Sequence, residues 1–250
     1  MHLHELTQPD AEALIREGRT AVLVAGSVEQ HGPHLPLGTD WIAALGVAER
    51  VAPALRAPVV VLSPVGVAPY HRAWAGSLTL RPETLIALVV DVCTGLAGAG
   101  ATRVLIVNWH EGNTPTLRLA ADRAQTANPE LRVLVAETHI IANALSDDAL
   151  ALTHAGALET AAVLARDPSL VDLERATNAT ADGHGDARHE LFRQRDVFPV
   201  LKDFREIAPT GWYGHPEDVS QEQAEELFER VAAHVVKRAT ETWAELEQPA

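Results

Sequence analysis

The chain has 250 residues, 47% of them hydrophobic and 22% charged, enough to bury a substantial core and unlike a disordered or fibrous sequence. A formal net charge of -14 argues against nucleic acid and against an anionic membrane surface as partners, since both would be repelled. The single cysteine, Cys93, excludes an intrachain disulfide and fits a reducing, cytoplasmic compartment, and residues 1–20 lack the basic-then-apolar order of a signal peptide.

In chain order, short β-branched runs alternate with longer helical patterns, the signature of a parallel α/β sheet. The first predicted strand is Ala21–Ala25. After it comes EQHGPHLPLGTD, Glu29 to Asp40, where two prolines and two glycines rule out a helix or a regular strand. A helix is predicted over Trp41–Leu55, with Asp40 as its cap, and a strand over Val59–Leu62. Pro82–Ala97 reads as a helix with a first-turn proline; its apolar run from Leu85 is shorter than a bilayer span and reads as buried. The strand Val104–Val107, the helix Thr114–Thr126 and the strand Val133–Ala136 follow. Asn178–Gly214 is irregular and reads as loops over the sheet edge. The chain closes with a helix over Gln221–Leu246, capped by Ser220 and carrying Glu225, Glu226 and Glu229 on its wet face. No repeat or linker interrupts this order, so one domain over 1–250 is expected, a three-layer α/β/α sandwich around a mostly parallel sheet.

In such sheets ligands bind at the carboxyl ends of the strands. Glu29 and His31 directly follow the first strand, and NWHEGN (Asn108–Asn113) directly follows the third, so both polar clusters project to one edge. Glu29, His31, Asp40 and His110 are carboxylate and imidazole, the ligand set of zinc, manganese or iron. Residues two apart on an extended segment face the same side, so Glu29 and His31 can share one metal or take one each, and Asp40 can bridge two. Taken singly, Glu29 or His31 could equally serve only to hydrogen-bond a tight loop.

GSVEQHGPHLPLGTD resembles the signature of the creatininase family, metal-dependent amidohydrolases that open or cleave C–N amide bonds. YHRAWAGSLTLRPET (Tyr70–Thr84), NWHEGN, HAGALET (His154–Thr160) and PTGWYGHP are similar to further family segments, in the same order along most of the chain. The resemblance implies two divalent metal ions per chain, Zn or Mn with Fe as a further candidate. Glu29, Asp40 and His110 would hold one, and His31 and Asp40 the other, with a glutamate still needed. True creatininases carry that glutamate two residues after the motif histidine, where this chain has Gly112; Glu159 is the favoured substitute and Glu111 the alternative. Activated water would attack the amide carbonyl and His154 would protonate the leaving nitrogen. Thr153 stands where creatininases have Glu, which argues against creatinine as substrate.

His71, Trp109 and Trp212 are candidates to contact the substrate, with Tyr213 as a further wall, although each fits plain packing as well. His34 reads as a loop-shaping residue, Gly32 as a position needing an unusual backbone angle, and His184 and His189 as a weak rival metal site. The expected partners are a small cyclic or linear amide and further copies of the chain, the family's form being a hexamer. Two other readings stay open. One is a deformylase or peptidase acting on a formamide or a modified peptide end; the other is an inactive binding protein of the same fold. A serine hydrolase lacks its GxSxG elbow here.

Overall fold

The computed structural model describes residues 1–146, 150, 152–177, 179 and 200–248. Four strands, β1 (Thr20–Ala25), β2 (Val59–Ser63), β3 (Arg103–Asn108) and β4 (Arg132–Glu137), form an all-parallel sheet in the order β2-β1-β3-β4. Their continuous apolar runs are what a strand covered on both faces requires. The period of two divides each strand between two cores. Val22, Val24, Leu105 and Val107 face one layer, and Ala21, Leu23, Val104 and Ile106 face the other. The exposed side of β2 is partly closed by the chain's own start, where Val59 N donates to Met1 O at 2.9 Å.

Seven helices are described: α1 (Gln8–Gly18), α2 (Thr39–Ala54), α3 (Pro82–Gly98), α4 (Thr114–Ala127), α5 (Thr138–Leu145), α6 (Ala157–Leu164) and α7 (Gln221–Leu246). Helices α2, α5, α6 and α7 cover the first face, while α3, α4 and one residue of α1, Ile15, cover the second. Helix α7 opens on a capping box between Ser220 and Gln223, and buries Ala224, Leu227, Val231 and Val235 at helical spacing. The run from Leu85 is amphipathic rather than wholly buried: Leu85, Val89 and Cys93 face inward, Asp91 and Thr94 outward. Among the described residues, no helix is long and apolar enough to cross a membrane.

The strand order places a topological switch between β1 and β3, since β1 leads outward to β2 and the chain then crosses back to β3. A crevice opens beyond the carboxyl ends of two strands that diverge in this way. Glu29 and His31 leave β1 there, and His110 leaves β3.

Candidate metal centre

Beyond β1 the chain loops out and returns, closed by Glu29 N donating to Leu37 O at 2.8 Å and by Thr39 Oγ1 donating to Pro36 O at 2.8 Å. The return sets Asp40 in the first turn of α2. Asp40 does not cap that helix, whose N-cap is Gly38 with no side-chain bond. Its Oδ2 instead accepts from Ser27 Oγ at 2.7 Å and lies 3.0 Å from His110 Nδ1, while Oδ1 lies 3.6 Å from His31 Nε2. A carboxylate wanted by two histidines on opposite sides is not available to the helix end.

Each histidine is oriented by a backbone carbonyl. His31 Nδ1 bonds Glu29 O at 3.1 Å, leaving Nε2 toward Asp40 and Glu159. His110 Nε2 bonds Val67 O at 3.0 Å, leaving Nδ1 beside Asp40. His154 Nε2 lies 2.8 Å from Gln30 O, leaving Nδ1 4.0 Å from Glu159 Oε2. When the nitrogen on the carbonyl carries the proton, the other keeps its lone pair for a cation or a proton. The β3 turn is held by Asn108, whose Oδ1 accepts from His110 N at 3.2 Å and whose Nδ2 donates to Glu137 Oε2 at 2.7 Å. Gly112 is needed there, because a Cβ at that position would lie 2.4 Å from His110 Nε2 and 2.5 Å from Val67 O.

Glu159, in the first turn of α6, is buried and accepts from Ala155 N, with Oε2 3.5 Å from His31 Nε2. Glu111 is exposed on the turn after His110. Two groups of side chains therefore converge, Glu29–Asp40–His110 and His31–Asp40–Glu159, with one donor atom from each residue within 4.8 Å of the others. Asp40 belongs to both. His154 approaches Glu29 and His31 in the same way.

The electrostatics are those of a charged cluster sealed from water. Burial raises the Glu29 carboxyl and pushes Glu159 up to about 7, against the pull of neighbouring histidines. Burial works against the charged form of His31, yet Glu159 and Asp40 outweigh it and push His31 up to about 10. His110 rises likewise to about 9, through Glu29 and Asp40. Asp40 resists its burial and is held well below the carboxylate range by His31 and His110. His71 and His154 fall, His71 to about 3, because burial and the neighbouring histidines both oppose a further positive charge. Glu29 Oε2 and His31 Nε2 are buried without a hydrogen-bond partner. Three buried carboxylates, with one oxygen of Glu29 and the facing nitrogen of His31 left without partners, fit divalent cations better than an internal hydrogen-bond network.

The other sequence candidates divide. Trp212 lines a cleft of about 450 Å³ beside the cluster, together with Gln30, Gly32 and Trp74. Tyr213 packs instead with Phe204 and Ile207. Trp109 does not form a pocket wall: it is buried in the first-face core, stacked on Phe228 with ring centroids 5.3 Å apart. The strand period explains this, since Trp109 continues the Leu105–Val107 face while His110 turns the other way. His71 is absent from the cleft lining; its Nε2 lies 3.4 Å from Glu29 Oε1 and its Nδ1 3.2 Å from Gln30 Nε2. His34 bonds Ala155 O at 2.9 Å and packs on Trp212, and Gly32 adopts φ 65°. His184 and His189 lie outside the described residues.

Sequence reasoning missed Gln30, whose amide nitrogen reaches His71, His154 Nε2 at 2.9 Å and Gly211 O, and whose Oε1 accepts from Gly32 N. Its contacts with His71 and His154 are made across 41 and 124 residues of sequence, so no local signal marked it. Trp74 was also missed, although it stands three residues after His71 in a segment already singled out.

Fold and donor set together define a class: an α/β protein with paired carboxylate–imidazole groups at strand ends, suited to divalent zinc, manganese or iron. The family model for creatininase, described as creatinine amidohydrolase, matches residues 4–239, and the chain belongs to this amidohydrolase family. It is 27% identical over 247 residues to the mycofactocin precursor peptide peptidase of Mycobacterium ulcerans, covering 94% of this chain and 90% of that protein. It is 28% identical over 245 residues to the creatinine amidohydrolase of Pseudomonas putida, covering 90% of each. A solved structure of manganese creatininase superposes with a TM-score of 0.75 at 25% identity, over 98% of both chains.

Proposed function

We propose that the chain is a two-metal hydrolase of C–N bonds in a small or modified amide. Glu29, Asp40 and His110 would hold one cation, and His31, Asp40 and Glu159 the other. The observation that carries this reading is Asp40, shared by two groups of buried donors whose atoms lie within 4.8 Å of one another. The family's solved structures include one titled as a manganese form and one as a zinc–zinc type, the latter at 24% identity. Cations so held supply polarisation of the carbonyl and a water of lowered pKa. Glu111 is exposed, whereas Glu159 is buried with Oε2 3.5 Å from His31 Nε2, which supports Glu159 as the remaining carboxylate.

His154 is the proton donor to the departing nitrogen. Its Nε2 is fixed on Gln30 O and its Nδ1 faces the cluster, so one proton can be held and passed at a defined place. Cys93 offers no rival nucleophile, being buried with its thiol pushed up to about 11. The reading extends to a cytoplasmic homo-oligomer acting on a small-molecule amide. A peptidase acting on a modified peptide end is the second form of the same chemistry, favoured by the peptidase relative at 27% identity. Removing metal with a chelator and restoring it, while following hydrolysis of a panel of amides, tests the proposal. Activity should vanish and return; activity indifferent to chelation defeats it.

A further inference from the structure

The cleft beside the cluster bears on the group that a substrate carries next to its scissile bond. This rests on the two-metal reading above. Its lining is Gln30, Gly32, Pro33, Leu37, Trp74, Ala75, Thr177, Thr210 and Trp212, without one charged side chain among the described residues, although the whole chain bears a net charge of -14. Gln30 is the floor that joins cleft to chemistry, since its amide also touches His71 and His154. The two indoles are brought together by the late loop: a Cβ on Gly211, at φ 92°, would lie 3.2 Å from Trp74 Nε1, and Trp212 is the next residue. Both indoles are braced from behind. Trp212 packs on His34 with centroids 4.6 Å apart, and Trp74 lies near Phe204 and His71. Arg205 stands over Trp74 at 5.7 Å, but its guanidinium is taken by Asp203 at 2.6 and 2.9 Å.

We infer that this cleft takes an uncharged, flat apolar group, an aromatic ring above all, attached close to the amide that is cleaved. A ring meets the half-buried indole of Trp74, the small exposed part of Trp212, Leu37 and Pro33, and needs no hydrogen bond. A carboxylate or ammonium in the same place would lose water and find no partner of opposite charge among the described lining residues. Trp74 rather than Trp109 is then the second aromatic wall, and the ring rather than a charged group is the basis of selection.

The test uses hydroxamates, which chelate divalent metal through the same atoms and differ only in the attached group. Acetohydroxamate, phenylacetohydroxamate, succinic monohydroxamate and β-alanine hydroxamate are titrated calorimetrically into the metal-loaded protein. The phenyl compound should bind at least about tenfold more tightly than acetohydroxamate, and the two charged compounds no more tightly than it. In Trp74→Ala the advantage of the ring should collapse toward parity, and Trp74→Leu serves if the alanine variant does not fold. Equal affinity for phenyl and methyl overturns the inference while leaving the metal reading intact, as does tighter binding of a charged compound. A ring advantage retained in the Trp74 variants also overturns it. No binding by any of the four overturns the two-metal reading and the inference with it.

Discussion

Replacing Glu159 and Glu111 by glutamine, one at a time, separates two carboxylates that differ mainly in where the fold points them. Glu159 is 7% exposed, with Oε2 3.5 Å from His31 Nε2, whereas Glu111 stands in solvent. Glutamine at 159 keeps an oxygen to accept from Ala155 N, so the turn into α6 is retained and only the charge toward the cation is lost. Free metal at 100 times its dissociation constant adds about 2.7 kcal/mol per site, so two sites add about 5 kcal/mol. In a chain of this size each kcal/mol moves Tm by about 2–4 °C, giving a gain of roughly 10–20 °C on loading the unaltered protein. Glu159→Gln should show about half that gain and one ion per chain in place of two. Glu111→Gln should behave as the parent within about 0.5 kcal/mol. Calorimetric melts with and without chelator, paired with metal analysis, read both quantities. Two ions retained in Glu159→Gln, or one lost in Glu111→Gln, would refute the assignment.

Further expectations concern the groups around that carboxylate. Asp40→Asn, which can still bond Ser27, should fold and bind neither ion firmly; full occupancy by metal analysis would remove Asp40 from its bridging place. His154→Ala should keep both ions and lower kcat by about 10²–10⁴-fold, whereas an unaltered kcat would assign proton transfer elsewhere. In metal-free protein, His31 and His110 hold protons up to about 10 and about 9, above the ordinary 6.5. The folded state then binds more protons than the unfolded one between those limits, so stability should fall as pH rises from 7 to 10, and metal should flatten the slope. Urea midpoints of chelator-treated protein measure this, and a midpoint rising with pH would contradict it. Creatinine should be a poor substrate beside an uncharged aromatic amide; comparable kcat/KM for the two would show that Thr153 beside His154 does not set the substrate.

The four strands were legible because parallel strands covered on both faces must be written as apolar runs, and Val59–Leu62 and Val104–Val107 fall inside β2 and β3. Helix α7 was legible to the residue, with Ser220 as its cap. Helix α1 was not, since its polar sequence buries only Ile15, and α5 and α6 have eight residues each, too short for a period to declare itself. The residues of the cluster were legible as chemistry at strand ends, but their partition into two groups was not, because it depends on the strand order and on the backbone carbonyls that turn each ring. Trp109 was misplaced although the alternation that buries it is in the sequence: Leu105, Val107 and Trp109 are spaced by two, and the loop motif drew attention from that register. Gln30 and Trp74 meet the late loop at Gly211; PTGWYGHP was legible as a segment of the site, but the residues it closes on were not.

Everything proposed for the chemistry depends on two cations meeting at Asp40. Chelator-treated protein titrated with Mn²⁺ or Zn²⁺, with bound metal and amide hydrolysis followed in the same samples, tests this most directly. Binding should saturate at two ions per chain, with hydrolysis appearing as the second site fills. Saturation at one ion or none, or hydrolysis that persists in the metal-free protein, would contradict it.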